Sequence, residues 1–200
     1  MKEYKFIFVD NGSKNGELAY IGGKSFLPNN IMWPKNPNGN NLILLMTIPT
    51  TFLNKYFNNR FIQDRIISIF TTYDAEDYFL DSIVYNGSDE ELNNIKEGFT
   101  KVIFHDIGNM VRNECEFEIP KKIFELELIE VDGEYGGSKL GGKPYLLQKN
   151  ELKLKNYEFI LQIYGNDFPE EYNDIFYLSD SIGYLYLDKR NNGIFFTQCT

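Results

Sequence analysis

Alanine, the strongest helix former, stands at only two of 200 positions, Ala19 and Ala75. Histidine and tryptophan occur once each, as His105 and Trp33, and cysteine twice, as Cys115 and Cys199. With a single histidine, any imidazole-based acid–base pair or triad depends on that residue alone. Two cysteines make no disulfide framework, and no Cys-x-x-Cys or Cys/His cluster offers a zinc site. No apolar run approaches the roughly eighteen residues of a membrane span. The opening MKEYKFIFVDNG holds four consecutive apolar residues, too few for the core of a secretory signal. These absences predict a cytoplasmic chain with no membrane contact, no cofactor and no bound metal.

Basic runs are also missing. Twenty Lys and Arg face 29 Asp and Glu, for a net charge of −9. A nucleic-acid binder displaces counterions with clustered cations, so this balance argues against nucleic acid. It suits a solvated acidic surface, or a basic protein partner drawn to one.

What the chain has in quantity is aromatic. Seventeen Phe and 14 Tyr lie within a hydrophobic content of 42%, ample for a buried core. Strand formers dominate, and strand-like runs read at 4–9, 42–48, 65–73, 101–106, 116–119, 124–131 and 157–164. GYLYLD and GIFFTQC then form a hairpin across KRNN. Thr50 or Thr51 is placed to cap a short helix reaching Asn59. Ser88 with Glu91 has the capping-box spacing for a second helix ending near Gly98.

One phrase is written twice. YIGGKSFL occupies 20–27 and KLGGKPYL occupies 139–146, with Gly22 and Gly141 separated by 119 residues. An apolar stretch follows each copy, LLMTI at 44–48 and FILQI at 159–163. Gly22 precedes Thr47 by 25 residues and Gly141 precedes Gln162 by 21, a difference one loop deletion explains. The reading is a single 1–200 domain of α+β, β-rich class. It consists of two pseudo-equivalent halves, near 1–131 and 132–200, with antiparallel sheets and a few short helices. VDGEYGGS marks the boundary between them.

Candidate chemistry is sparse. Gly-Gly-Lys resembles a phosphate loop, but Leu18 replaces the upstream glycine in one copy and Pro144 the magnesium-binding hydroxyl in the other. Gly22, Gly23, Gly141 and Gly142 therefore read as structural glycines at sharp turns. His105 lies on a strand beside Asp106, whose side chain points to the opposite face and cannot orient the ring. Cys115 sits between acids that raise a thiol pKa, and Cys199 lies at the end of the chain. No catalytic residue is assigned. The acidic clusters Asp74, Glu76, Asp77, Asp81 and Asp167, Glu170, Glu171, Asp174 lack calcium-loop spacing and read as exposed loops. Trp33 is either a core anchor or a contact residue.

IGGKSFLP with MWP shortly after, SKLGGKPYLLQ, FILQI, SDSIGYLYL and FFTQC, in that order, resemble the YwqG-like family of bacterial domains. The resemblance covers roughly 19–80 and 100–200. It departs at Thr47, where a glutamine is expected, at Lys149-Asn150 in place of Asp-Pro, and at Leu178-Ser179-Asp180 in place of Trp-Gly-Asp. The resemblance implies a fold and carries no reaction. The functional expectation is a non-catalytic binding protein, of immunity type if it masks a basic partner. The alternative is a small-ligand binder or enzyme using a cleft between the halves lined by Gln148, Gln162 and Asp180, with Trp33 as a further candidate binding residue.

Overall fold

The Ile-, Phe- and Tyr-rich runs pair into one antiparallel sheet of ten strands. The computed structural model describes residues 2–9, 19–130 and 133–200. Its strands are β1 (Glu3–Val9), β2 (Tyr20–Ile21), β3 (Ile43–Pro49), β4 (Arg65–Thr71) and β5 (Thr100–Asp106). They continue as β6 (Lys122–Leu128), β7 (Lys139–Gly141), β8 (Tyr157–Tyr164), β9 (Ile182–Asp188) and β10 (Gly193–Gln198). The order across the sheet is β10-β9-β8-β7-β1-β6-β2-β3-β4-β5. Two four-strand meanders, β2–β5 and β7–β10, are thus joined by the pair β1–β6.

The central pair carries an aromatic spine. Phe6 and Phe124 stack at 4.0 Å with planes 6° apart, and Phe52 meets Phe124 edge-on. Each such ring pair contributes about 1 kcal/mol beyond its area. One face of both meanders packs around this spine, with Leu45, Ile67 and Ile69 from one and Ile163, Leu185 and Phe195 from the other. The opposite face is covered twice. Residues 27–42 fold Leu27, Trp33 and Leu42 over Leu44 and Phe70. The helix Asp89–Asn94 and the segment after Lys143 cover Tyr184, Tyr186 and Phe196. This two-sided burial explains why β3 reads as a continuous apolar run.

Both Gly-Gly turns have left-handed backbone. The φ values are 63° and 68° at Gly22 and Gly23, and 77° and 69° at Gly141 and Gly142. Both pairs end the first strand of a meander. In each meander the second strand carries a bulge, between Leu44 and Met46 in β3 and between Phe159 and Leu161 in β8. Glu3 on β1 closes over the second turn, accepting from the buried Lys139 ammonium at 3.0 Å and from Lys143 N–H at 3.2 Å. Burial works against the Glu3 charge, but these two donors outweigh it and hold its pKa below the usual value.

Several expected elements differ. The Ser88–Glu91 capping box forms, and Glu91 also accepts from Asn86 N–H. Helix α1 is only Thr50–Asn54, preceded by Pro49 without a side-chain cap. The Thr50 hydroxyl is occupied instead with both backbone groups of Arg65. Asn54 likewise grips both backbone groups of Phe61, turning the chain back before Asn59. Residues 116–119 are not a strand, because the Asn113 amide gathers the Cys115 and Phe117 carbonyls into a turn. The expected boundary at 131–132 lies outside the described residues.

A side chain at Gly22 would need left-handed backbone and would meet the Ile119 carbonyl at 2.5 Å and that of Pro120 at 2.8 Å. Gly22→Ala is expected to cost about 3 kcal/mol or more in urea unfolding. Gly39→Ala, at φ 90° with open space around it, should cost about 1 kcal/mol. Equal losses would contradict this assignment of the close approach.

Candidate functional site

A ten-stranded twisted sheet curls, and here its two terminal strands meet. The Thr100 hydroxyl on β5 donates to the Phe195 carbonyl on β10 at 2.5 Å. Two residues further along, Val102 lies against Gly193, where an added Cβ would fall 2.3 Å from its methyl carbon. Glycine is what lets the two edges touch. Beyond Val102, β5 runs on past the start of β10, and among the described residues no strand pairs with Ile103–Asp106 on the edge away from β4. A groove of about 990 Å³ opens there, with β5 as one wall. The segment Asn29–Lys35 and the β9–β10 turn at Arg190–Asn192 form its other sides.

The Asn29–Lys35 wall is held rigidly. Trp33 donates its indole N–H to the Leu42 carbonyl at 2.9 Å and meets Phe70 edge-on. Arg112 staples the segment, donating to the Leu27, Pro28 and Ile31 carbonyls while pairing with Glu114. The backbone of Arg112 is paired in turn with Ser25, through N–H to carbonyl bonds in both directions at 2.9 Å.

Behind Ser25 lies a buried polar relay. The Ser25 and Ser68 hydroxyls are 3.4 Å apart, and Ser68 is 2.9 Å from His105 Nε2. His105 Nδ1 lies 2.7 Å from the Asp106 carbonyl, so that nitrogen carries the proton and Nε2 accepts from Ser68. Burial depresses the His105 pKa and keeps the ring neutral. The Asp106 carboxylate turns away to Arg65 at 2.8 Å. Ser68 and His105 resemble a nucleophile and base only in composition. Both are essentially buried, so no substrate reaches them. Their chemistry is structural: a satisfied network that anchors the groove wall.

The groove is cationic within an acidic chain. Lys35, Lys101, Arg112 and Arg190 line it against Glu97 and Glu114. Arg112 and Glu114 neutralise each other, while Lys35, Lys101 and Arg190 have no ion pair among the described residues. Met32, 88% exposed, adds an apolar rim. The arrangement can hold an extended segment by backbone pairing and charge. Lysine, arginine and asparagine at this spacing supply no nucleophile–base pair.

The four expected binding residues do not converge. Trp33 lies in the groove wall, with its ring buried as a core anchor. Gln148 donates its side-chain amide to the Cys199 carbonyl and its backbone N–H to the Gln198 side-chain oxygen, tying down the end of β10. Gln162 is fully buried, accepting from Tyr145 N–H and donating to the Tyr135 and Gly137 carbonyls. Asp180 is exposed and bonded to Tyr164 and Asn166. Burial raises the Cys115 thiol pKa, and the nearby Glu116 charge adds to it. Lys35, Lys101 and Arg190 were not singled out from sequence, and no spacing could have shown them, since only the curl of the sheet brings them together.

The acidic segment 167–174 is not the free loop expected. Asp167 accepts from Ser138 at 2.5 Å, its carbonyl accepts from Lys122, and the adjacent Phe168 is buried in the core. Burial raises the Asp167 pKa against those contacts. Asp174 accepts from Tyr73 at 3.2 Å, leaving Glu170 and Glu171 on the surface. Compared with known proteins, the chain matches no family model and no curated protein.

The buried neutral His105 has a definite pH consequence. Its folded pKa lies below the unfolded value of about 6.5, so its contribution is complete above that pH and lost as pH falls through it. Between pH 7.5 and 5.5, wild type should therefore lose more stability than His105→Gln, measured by urea unfolding. Parallel losses in the two proteins would show that the ring is not buried neutral.

Proposed function

We propose that this chain is a non-catalytic binding protein of YwqG-like type that receives an extended, acidic segment of another protein along β5. The observation that carries this reading is the outer edge of β5, uncovered among the described residues, beside three cations that have no ion pair among those residues, on a chain of net charge −9. A strand added at a sheet edge gains main-chain hydrogen bonds, and side-chain contacts give it specificity. Here Lys35, Lys101 and Arg190 would read carboxylates, with Met32 and Trp33 beside them.

We further propose that the architecture is an internal duplication of one strand plus a four-strand meander, with each opening strand pairing beside the other unit's meander. Support comes from the registers. Tyr20 opposes Thr47 as Lys139 opposes Gln162, and the Gly-Gly turns and bulges fall at matching steps. On this reading the second unit begins ahead of β6 rather than at 132, and the groove lies between the far ends of the two units.

A second reading, an immunity-type protein masking a basic partner, rests on the loop Asp74–Asp81. Asp74 caps its own turn and Asp81 accepts from Tyr78, but Glu76 and Asp77 stay exposed without ion pairs among the described residues. Peptide display on the purified protein separates the readings. The edge reading expects selected peptides rich in Asp and Glu around an apolar residue. Reversing the groove charge with Lys101→Glu and Arg190→Glu should weaken their binding about tenfold at low salt, and less as salt rises. Basic peptides sensitive to Glu76→Lys and Asp77→Lys, and indifferent to the groove substitutions, would establish the second reading instead.

A further inference from the structure

The groove beside β5 has one blind end. β5 and β10 run antiparallel where they touch, since Thr100 reaches Phe195 and Val102 lies against Gly193. The β9–β10 turn at Arg190–Asn192 stands at that same end. Towards Asp106 no strand closes the outer edge among the described residues. A segment laid along β5 therefore meets an entrance at one end and a stop at the other.

Cations gather at the stop. Lys101 precedes Val102 on β5, and Arg190 belongs to the turn itself. Lys35 comes near the start of β5 as well, for a Cβ added to Gly98 would lie 3.9 Å from the Lys35 carbonyl. With Arg112 and Glu114 paired, Glu97 alone opposes these cations among the described lining residues. The register shows which backbone groups face the groove. Thr72 N–H donates to the Phe99 carbonyl at 2.9 Å, and bonded pairs alternate along an antiparallel ladder. Lys101, Ile103 and His105 thus bond to β4, whereas Phe104 turns both its N–H and its carbonyl outward. Asp106 adds its N–H, its carbonyl being taken by His105 Nδ1–H.

We propose that the segment received along β5 is the carboxy-terminal tail of its protein, antiparallel to β5, with the terminal carboxylate at the blind end beside Lys101 and Arg190. This rests on the edge-binding reading and gives it a direction. An antiparallel tail enters at Asp106 and exchanges both backbone bonds with Phe104. It runs out of edge where Gly193 stands against Val102. An internal segment has to bend away from the sheet at that point, whereas a chain end simply stops. A parallel segment carries its amino terminus to the same place, where Lys101 and Arg190 repel an ammonium group. At about 3.4 Å per residue the free edge takes only the last few residues of the tail, so main-chain bonds and the carboxylate together supply recognition.

The test presents the whole chain with two libraries of random octapeptides, one displayed with free carboxy termini and one with free amino termini. Only the first is expected to yield binders, with Asp or Glu near their ends. The strongest binder is then synthesised as the free acid, as the carboxy-terminal amide, and with two alanines appended. Amidation and extension should each weaken binding about tenfold or more at low salt. Lys101→Gln with Arg190→Gln, both at exposed positions, should weaken the free acid about tenfold and leave the amide nearly unchanged. A nitroxide on the peptide's amino terminus should broaden the Asp106 and Ile107 amides more than that of Gly193. A peptide that protects the Phe104 amide from exchange, yet binds equally well as acid, amide and extended form, overturns this proposal while the edge reading stands. Equal losses for acid and amide in the double variant, or stronger broadening at Gly193, overturn it likewise. Failure of both libraries to yield a peptide that binds below about 1 mM and protects Phe104 overturns the edge reading and this proposal together.

Discussion

The pairing of β1 with β6 makes two separate meanders into one sheet, and every functional feature follows from it. Register between them is set by six residue pairs, from Tyr4–Leu128 to Val9–Ile123, and is locked by the Phe6–Phe124 stack. A one-residue slip of β1 would turn Phe6 away from Phe124 to the other face. Because the pair holds eight flanking strands at a fixed twist, the outer strands curl until Thr100 reaches Phe195. The sheet almost closes on itself, removing part of the edge that a terminal strand exposes. Closure stops at Val102 and Gly193, and the remaining edge of β5 becomes the groove. The same geometry that buries the aromatic core thus determines where an unpaired edge survives.

Polar groups in this fold mostly serve to hold loops in place. The His105–Ser68–Ser25 relay, the Arg112 staple and the Gln162 amide each replace a regular ladder bond with a side-chain bond to irregular backbone. Such networks are stabilising only when complete. His105 is complete and neutral, Gln162 uses every donor and acceptor it needs, and Arg112 spends three bonds on one short segment.

Much of the fold was legible in the sequence because local pattern and tertiary need agreed. The strands at 4–9, 65–73, 157–164 and 183–199 all formed within a few residues of expectation. Ser88 and Glu91 formed the box their spacing demanded, and both Gly-Gly pairs took the left-handed backbone for which glycine is suited. Local pattern failed where a distant partner decided. Thr50 was drawn to Arg65 and could not cap its helix. Asp167 was turned inward by Ser138 and Lys122 although its neighbours in sequence are acidic. Sheet order was the least accessible, since β1 lies between β6 and β7 and neither is near it in the chain. The groove inherits that inaccessibility: Lys35, Lys101 and Arg190 become neighbours only after ten strands have paired.

The central claim is that the uncovered stretch of β5 is the surface by which this protein binds. Amide hydrogen exchange, resolved by residue in the free protein and in complex with an acidic peptide selected by display, measures this directly. The account predicts that the outward-facing amides within Ile103–Asp106 exchange rapidly in the free protein. They should slow by about a hundredfold or more in the complex, while β10 amides near Thr197, already covered by Val84 and Tyr85, change little. Protection that appears elsewhere, with exchange along Ile103–Asp106 unchanged by the bound peptide, would contradict it.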